Sequence, residues 1–305
     1  MNTANLPTRV QLIDVGPRDG LQNEKQPIDA ATKIALVQRL QDAGLTEIEV
    51  TSFVSPKWVP QMADNAEVMA GIARKPGVRY SVLTPNLQGY EAALKTSPHE
   101  IVVFGAASEA FSQKNINCSI AESIARFRPV VQAALSAGIA VRGAISCSLG
   151  CPYEGEIAPE RVELVARLMR EIGVQRVDIA DTIGVGTPVK VQRALEAALR
   201  HYDINAVSGH FHDTYGMALA NTLAALQVGV WNFQSSVAGL GGCPYAKGAT
   251  GNVATEDVVY LLHGMGIATG IDLDKLIDAG KFISDALGRK PHSRAANALL
   301  TKRLG

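Results

Sequence analysis

Two histidines, His210 and His212, are the residues of this sequence whose types and spacing point most directly to chemistry. They follow a short apolar run, 205–208, and precede a helical run that starts at Met217. Because side chains alternate between the two faces of an extended strand, residues two apart point the same way. Two imidazoles at one strand end are suitable metal ligands. The spacing also fits a pair of ordinary polar residues at the rim of a fold.

A second polar cluster occupies 16–20, where the sequence reads Gly-Pro-Arg-Asp-Gly after a short apolar run. The carboxylate of Asp19 stands next to the permanent positive charge of Arg18. A metal ion, a carboxylate and an arginine together can stabilise an oxyanion as it forms. In the alternative interpretation Arg18 is only a surface residue of a turn, which the glycines and the proline also favour.

These clusters need a scaffold, and the sequence predicts eight strand–helix units. The predicted strands are Val10–Val15, Glu47–Thr51, Arg79–Leu83, Glu100–Phe104, Ala140–Ser146, Arg176–Ala180, Val207–Phe211 and Phe233–Val237. The predicted helices are Ala30–Ala43, Asp64–Arg74, Leu87–Lys95, Ile120–Ala137, Pro159–Ile172, Pro188–Arg200, Met217–Val228 and Thr255–Met265. Eight such repeats favour an α/β fold, a closed (β/α)8 TIM barrel, over a doubly wound open sheet. We expect one catalytic domain over 1–305, with the barrel at about 10–270 and a C-terminal helical extension at about 271–305, which includes a helix over Asp272–Leu287.

The chemistry of such barrels lies at the C-terminal ends of the strands. The second predicted strand carries Glu49, and Asp181 and Asn252 follow later predicted strands. With Asp19 and the two histidines, Asn252 completes a donor set that suits an octahedral divalent ion such as Mg²⁺ or Mn²⁺, and suits Zn²⁺ less well. Glu49 is either catalytic or an ion-pair partner of Arg18. Asp181 either caps a turn, acts as a base or orients one.

Cys243 lies in a glycine-rich segment that we expect to form a loop. Such a loop can close over a substrate and bring a thiol to a reacting carbon. A lone cysteine is more often a small buried apolar residue, which is the alternative for Cys243. The three other cysteines, Cys118, Cys147 and Cys151, are expected to be structural.

Composition excludes several classes of function. The 305 residues carry 29 basic and 29 acidic side chains, so no electrostatic case exists for binding nucleic acid or an anionic membrane surface. No apolar run reaches the roughly 18 residues of a membrane span. The first nine residues contain no apolar stretch typical of a signal peptide, so we expect a cytoplasmic protein.

Five motifs together resemble the 3-hydroxy-3-methylglutaryl-CoA (HMG-CoA) lyase family. They occupy 15–25, 51–62, 181–188, 212–216 and the glycine-rich segment 237–252. The resemblance extends from about residue 10 to residue 289, almost the whole chain. The family belongs to a larger group of TIM-barrel lyases and synthases that break or make carbon–carbon bonds next to acyl-CoA thioesters.

The resemblance implies a role for each candidate residue. It implies metal ligation by Asp19, His210, His212 and Asn252. It implies that Arg18 binds substrate and steadies the enolate oxygen. It further implies that the other catalytic residues are Glu49, Asp181 and Cys243, with His210 shared between metal binding and catalysis, and that Lys25 lies near the substrate.

The implied reaction is a metal-dependent retro-Claisen cleavage of (S)-3-hydroxy-3-methylglutaryl-CoA to acetyl-CoA and acetoacetate, as in leucine degradation. Asp181 or His210 would accept the hydroxyl proton, and Cys243 or His210 would protonate the enolate. The expected partner is a small acyl-CoA substrate, and the family implies a homodimer. The alternatives are a lyase for citramalyl-CoA or for a longer branched 3-hydroxyglutaryl-CoA, a condensing synthase of the same group, and a non-catalytic metal- or CoA-binding barrel.

Overall fold

Eight parallel strands close into a barrel in a computed structural model, which describes residues 6–242 and 251–304. The strands follow the chain order from β1 to β8, and β8 pairs with β1 to complete the ring. They are β1 Gln11–Asp14, β2 Glu47–Ser52, β3 Arg79–Leu83, β4 Glu100–Ala106, β5 Ala140–Ser146, β6 Arg176–Asp181, β7 Val207–Phe211 and β8 Asn232–Ser235. The closed ring confirms the predicted TIM barrel.

Helices cover the outside of this barrel. They are α1 Ala30–Asp42, α2 Asn65–Gly71, α3 Leu87–Leu94, α4 Glu109–Ile116, α5 Ile120–Ser136, α6 Pro159–Glu171, α7 Pro188–Leu199, α8 Ala218–Val228, α9 Thr255–Gly264, α10 Leu273–Ala286 and α11 Arg294–Leu304. Their apolar faces pack on the strands and form one large core. No helix in the described ranges is both long and apolar enough to cross a membrane.

The structure adds two helices to those that the sequence predicts. Helix α4 lies between β4 and α5, and α11 follows α10 in the C-terminal segment. The predicted C-terminal helical extension is therefore confirmed. It contains two helices, α10 and α11, where the sequence predicts one. Strand β8 ends at Ser235, two residues before its predicted end, and a short 3₁₀ turn, Val237–Gly239, follows it.

A tight π-helical turn, Gly16–Gly20, follows β1 and presents two of the candidate residues. The carbonyl of Val15 accepts the N–H groups of residues 18, 19 and 20 at 3.2, 2.7 and 3.2 Å. A Cβ on Gly20 would lie 2.6 Å from the Cβ of Leu240, so only glycine permits this close approach. The turn is thereby packed against the segment that follows β8.

The interior of the barrel contains charge where such barrels usually contain branched apolar side chains. Arg142 on β5 is completely buried and bonds three carboxylates. Its guanidinium donates to Glu49 at 2.6 Å, to Glu100 at 2.9 Å and to Asp178 at 2.5 Å. Glu49 comes from β2, Glu100 from β4 and Asp178 from β6, so one arginine ties four strands together.

Candidate active site

Asp19, His210 and His212 bring their ligand atoms within 4.8 Å of one another. Asp19 comes from the turn after β1, and the histidines come from the end of β7. The Nε2 atoms of the two rings are 3.3 Å apart, and His210 Nε2 is 4.0 Å from Asp19 Oδ2. The expectation that the two histidines face the same side is therefore confirmed. We call Asp19, His210 and His212 the metal group.

Asn252 joins the metal group from the segment after β8. Its amide nitrogen donates to Asp19 Oδ2 at 2.8 Å, and its backbone pairs with that of His212. A half-turn of the amide would present its oxygen to the same point. The structure thus brings together all four residues that the family resemblance implies as metal ligands.

The electrostatics of the metal group fit a divalent cation. Burial lowers the pKa of His212 to about 4, with the neighbouring His210 ring acting in the same direction. Burial raises the pKa of Asp19, but Arg18 and the two histidines outweigh it and bring the value to about 2. At neutral pH the site therefore offers a carboxylate and at least one neutral imidazole, which are good ligands for a cation.

Arg18 is buried beside the metal group, with 8% of its surface exposed. Its Nη1 donates to Asp19 Oδ1 at 2.7 Å, and its Nε donates to Glu49. A guanidinium has five N–H donors, so these two bonds leave others for an incoming oxyanion. Arg18 also lines the central cavity. Arg18 therefore lies buried in the wall of the cavity and is not part of an exposed turn.

Glu49 links Arg18 to the barrel interior. One of its oxygens accepts from Arg18 and the other from Arg142. Burial raises the pKa of Glu49, but the two arginines outweigh it and bring a net lowering. Arg142 is not among the residues predicted from the sequence. An arginine inside the otherwise apolar strand 140–146 was the available signal.

Asp181 is completely buried at the end of β6. Its Oδ1 accepts from Val185 N at 3.0 Å and its Oδ2 from Gly186 N at 2.8 Å. Burial raises its pKa to about 6, although these backbone bonds oppose the rise. Asp181 does not line the central cavity, whereas its neighbours Ala180 and Thr182 do. The carboxylate therefore holds the turn after β6 and lies just outside the cavity wall.

Two candidates remain, Lys25 and Cys243. Lys25 is exposed and does not line the central cavity. Cys243 lies outside the described residues, so its predicted role stays a prediction from the sequence.

The central cavity has a volume of about 990 Å³ and opens at the C-terminal end of the barrel. Its inner end holds Arg18 and the metal group, and apolar side chains such as Val102 and Phe104 form part of its wall. Its outer end carries basic and aromatic side chains, namely Lys114, Arg126 and Trp58, the last of which is 84% exposed. A substrate with a small polar head and a long anionic tail matches this shape.

Comparison with known proteins agrees with the site. The family model described as HMGL-like matches residues 9–283. The chain is 59% identical over 298 residues to a 3-hydroxy-3-isohexenylglutaryl-CoA/hydroxymethylglutaryl-CoA lyase of Pseudomonas aeruginosa, covering 98% of this chain and 99% of that one. It is 57% identical over 293 residues to the human mitochondrial hydroxymethylglutaryl-CoA lyase, covering 96% of this chain and 90% of the human one.

A solved structure is equally similar. The crystal structure of hydroxymethylglutaryl-CoA lyase from Pseudomonas aeruginosa superposes with a TM-score of 0.96 at 59% identity. The match covers 98% of this chain and 99% of that chain. The backbone that positions the site is therefore shared with a solved enzyme over almost its whole length.

Proposed function

The chain belongs to the HMGL-like family, and from this premise we propose that it is a carbon–carbon lyase that cleaves 3-hydroxy-3-methylglutaryl-CoA to acetyl-CoA and acetoacetate. The observation that supports this proposal most directly is the convergence of the metal group beside Arg18 at the inner end of the cavity. Cleavage needs two things that this arrangement offers, namely an acidified hydroxyl and a place for negative charge.

Asp19, His210, His212 and Asn252 are the residues that would hold a divalent ion. When bound, such an ion, Mg²⁺ or Mn²⁺, acts as a Lewis acid that makes a substrate hydroxyl easier to deprotonate. The four residues come from three places, the turn after β1, the end of β7 and the segment after β8, so the closed barrel fixes their relative positions.

We propose that Asp181 is the base that accepts the hydroxyl proton, because His210 would be a ligand of the ion. A pKa of about 6 suits a base that works near neutral pH. The two carboxylate oxygens have four lone-pair sites, and three backbone N–H groups, those of Gly184, Val185 and Gly186, bond to them, which leaves one site for a proton. Because Asp181 does not line the cavity, the proton needs one relay. We propose that this relay is the hydroxyl of Thr182, a cavity-lining residue whose Oγ1 accepts from Cys147 N at 2.7 Å and keeps its own O–H to donate.

Loss of this proton allows the bond between C2 and C3 to break. The C3 oxygen becomes the ketone of acetoacetate, and the electron pair of the broken bond moves into the thioester to give an enolate. Arg18 donates to the enolate oxygen with N–H groups that its bonds to Asp19 and Glu49 leave free. Protonation at C2 then gives acetyl-CoA, and Cys243 is the proposed proton donor on sequence grounds.

A longer substrate is the second candidate. The Pseudomonas relative is named for two substrates, one of which carries an isohexenyl group in place of methyl. The apolar part of the cavity wall, which includes Val102 and Phe104, would accommodate such a branch.

The test of both candidates is an assay of protein that has been stripped of metal with EDTA. Acetoacetate and acetyl-CoA are followed after 3-hydroxy-3-methylglutaryl-CoA is added, with Mg²⁺, with Mn²⁺ and with neither. Release of both products only with metal supports the proposal, and no product with any metal contradicts it. The same assay with the isohexenyl substrate compares kcat/KM for the two. A homodimer and a cytoplasmic location stay predictions, which sedimentation and cell fractionation would test.

A further inference from the structure

Gln234 on β8 contacts the metal group without belonging to it. It lies directly opposite His210 in the pairing of β7 with β8. Only 4% of its surface is exposed, and it lines the central cavity. Its Oε1 and His210 Nδ1 are hydrogen-bonded. This is a fully buried side-chain contact between two neighbouring strands.

The bond to Gln234 decides which nitrogen of His210 is available to the site. A neutral imidazole carries one proton, and an amide oxygen can only accept a hydrogen bond. With Oε1 of Gln234 facing the ring, Nδ1 is the protonated nitrogen and Nε2 keeps its lone pair. Nε2 is also the atom that faces His212 and Asp19. Gln234 thus holds His210 in the one neutral form that can ligate an ion at this position.

The hydrogen bond between Gln234 Oε1 and His210 also fixes the position of the amide nitrogen of Gln234. With Oε1 turned towards His210, Nε2 of Gln234 is buried and has no partner among the described residues. A buried N–H group without an acceptor is destabilising, because it has lost its hydrogen bonds to water and gained none in return. Such a cost is maintained at a functional site when a ligand supplies the acceptor. The cavity that Gln234 lines is the place where a ligand would do so.

We propose that Gln234 has two functions: its Oε1 positions His210 for metal binding, and its Nε2 donates a hydrogen bond to an oxygen of the acyl substrate. The second function rests on the proposed lyase activity, whereas the first concerns the protein and the ion alone. Gln234 is therefore a positioning residue towards His210 and a binding residue towards the substrate.

Two substitutions separate these functions. Gln234→Met keeps the length of the side chain and removes both the acceptor and the donor. Gln234→Glu keeps an acceptor for His210 and removes the donor. The exposed Gln227→Met on α8 is the matched control. Circular dichroism confirms that each variant is folded.

The affinity for Mn²⁺, measured by titration calorimetry on EDTA-stripped protein, tests the positioning function. We expect Gln234→Met to weaken Mn²⁺ binding by roughly tenfold to a hundredfold, as loss of a residue that supports a metal ligand does. Gln234→Glu is expected to bind Mn²⁺ at least as tightly as the parent. Parental Mn²⁺ affinity in Gln234→Met would overturn this half of the proposal. This readout needs no substrate, so it remains decisive even if the parent cleaves nothing.

The value of kcat/KM at saturating Mn²⁺ tests the donor. Both variants lack the N–H groups, and only one of them introduces a charge. We expect both to lose at least about tenfold in kcat/KM even when the ion is saturating. Full recovery of parental kcat/KM by Gln234→Met at saturating Mn²⁺ would overturn the donor function. A parent enzyme without activity would refute the proposed function instead, and with it the donor.

Discussion

Glu256 at the start of α9 is a buried acid whose removal should change how stability depends on pH. Both of its oxygens lie 2.9 Å from the backbone nitrogen of Ala238, in the 3₁₀ turn after β8. The side chain is completely buried. Burial, assisted by the nearby charges of Asp14 and Asp257, raises the pKa of Glu256 from 4.5 to about 8. The folded protein therefore holds this proton far more tightly than the unfolded chain does.

The sign and size of the effect follow from these two values. A raised folded-state pKa gives stability that is complete below about pH 4.5 and is lost as the pH rises through about 8. Between pH 5 and pH 7 the free energy of unfolding should fall by about 2–3 kcal/mol because of this one carboxyl group. A side-chain amide cannot ionise, so the variant Glu256→Gln should lack this part of the fall.

Urea unfolding at pH 5, 6 and 7, for the parent and for Glu256→Gln, measures the effect. We expect the free energy of unfolding of the variant, relative to that of the parent, to rise by about 2–3 kcal/mol between pH 5 and pH 7. The amide still offers an oxygen to Ala238 N, and any packing cost is the same at each pH. Glu91→Gln, an exposed position on α3, is the control. Its free energy of unfolding should depend on pH in the same way as that of the parent. A parallel curve for Glu256→Gln would refute the reasoning, because the folded protein would then bind no extra proton at Glu256.

Three further predictions concern the charged residues of the site. Arg142→Met leaves three buried carboxylates without their common partner, so urea unfolding should show a loss of about 3–5 kcal/mol; a loss under about 1 kcal/mol would contradict it. Asp19→Asn should weaken Mn²⁺ binding by roughly tenfold or more in calorimetry, and unchanged affinity would exclude Asp19 as a ligand. Asp181→Asn should lower kcat by about 10²–10⁴-fold at saturating metal, and Thr182→Val should lower it too if its hydroxyl is the relay; unchanged kcat in Asp181→Asn would exclude it as the base.

The parts of the fold that the sequence predicts well depend on local periodicity. Helices α5 and α6 end within one residue of their predicted ends, because each has an apolar face at helical spacing and stops before a glycine. His210 and His212 were predicted to share a side because strand alternation is a property of adjacent residues. Their facing Nε2 atoms confirm this.

Helices α4 and α11, which the sequence does not predict, have no clear local signal in the sequence. Helix α4 is mostly polar and buries only Phe111 and Ser112, so its sequence has no clear apolar face, although Ser108 caps it by accepting from Phe111 N at 3.0 Å. Helix α11 begins where Asp257 of α9 accepts from Ser293 and from Ala295 N, each at 2.7 Å. This start depends on a contact across about 36 residues, which no local pattern contains.

The ion pairs of the barrel could not be predicted from the sequence either. Their charged residues lie in separate segments of the sequence and meet only when the barrel closes. Once the barrel is closed, one connected network joins four arginines to five carboxylates: Arg18, Arg79, Arg142 and Arg176 to Asp19, Glu47, Glu49, Glu100 and Asp178. The network has one more carboxylate than guanidinium groups. Asp19 is its member at the metal group: its Oδ1 accepts from Arg18, and its Oδ2 accepts from Asn252 and faces the two histidines. A divalent cation held by Asp19 would offset the excess negative charge of the network, so the metal group and the charged interior of the barrel form one electrostatic system.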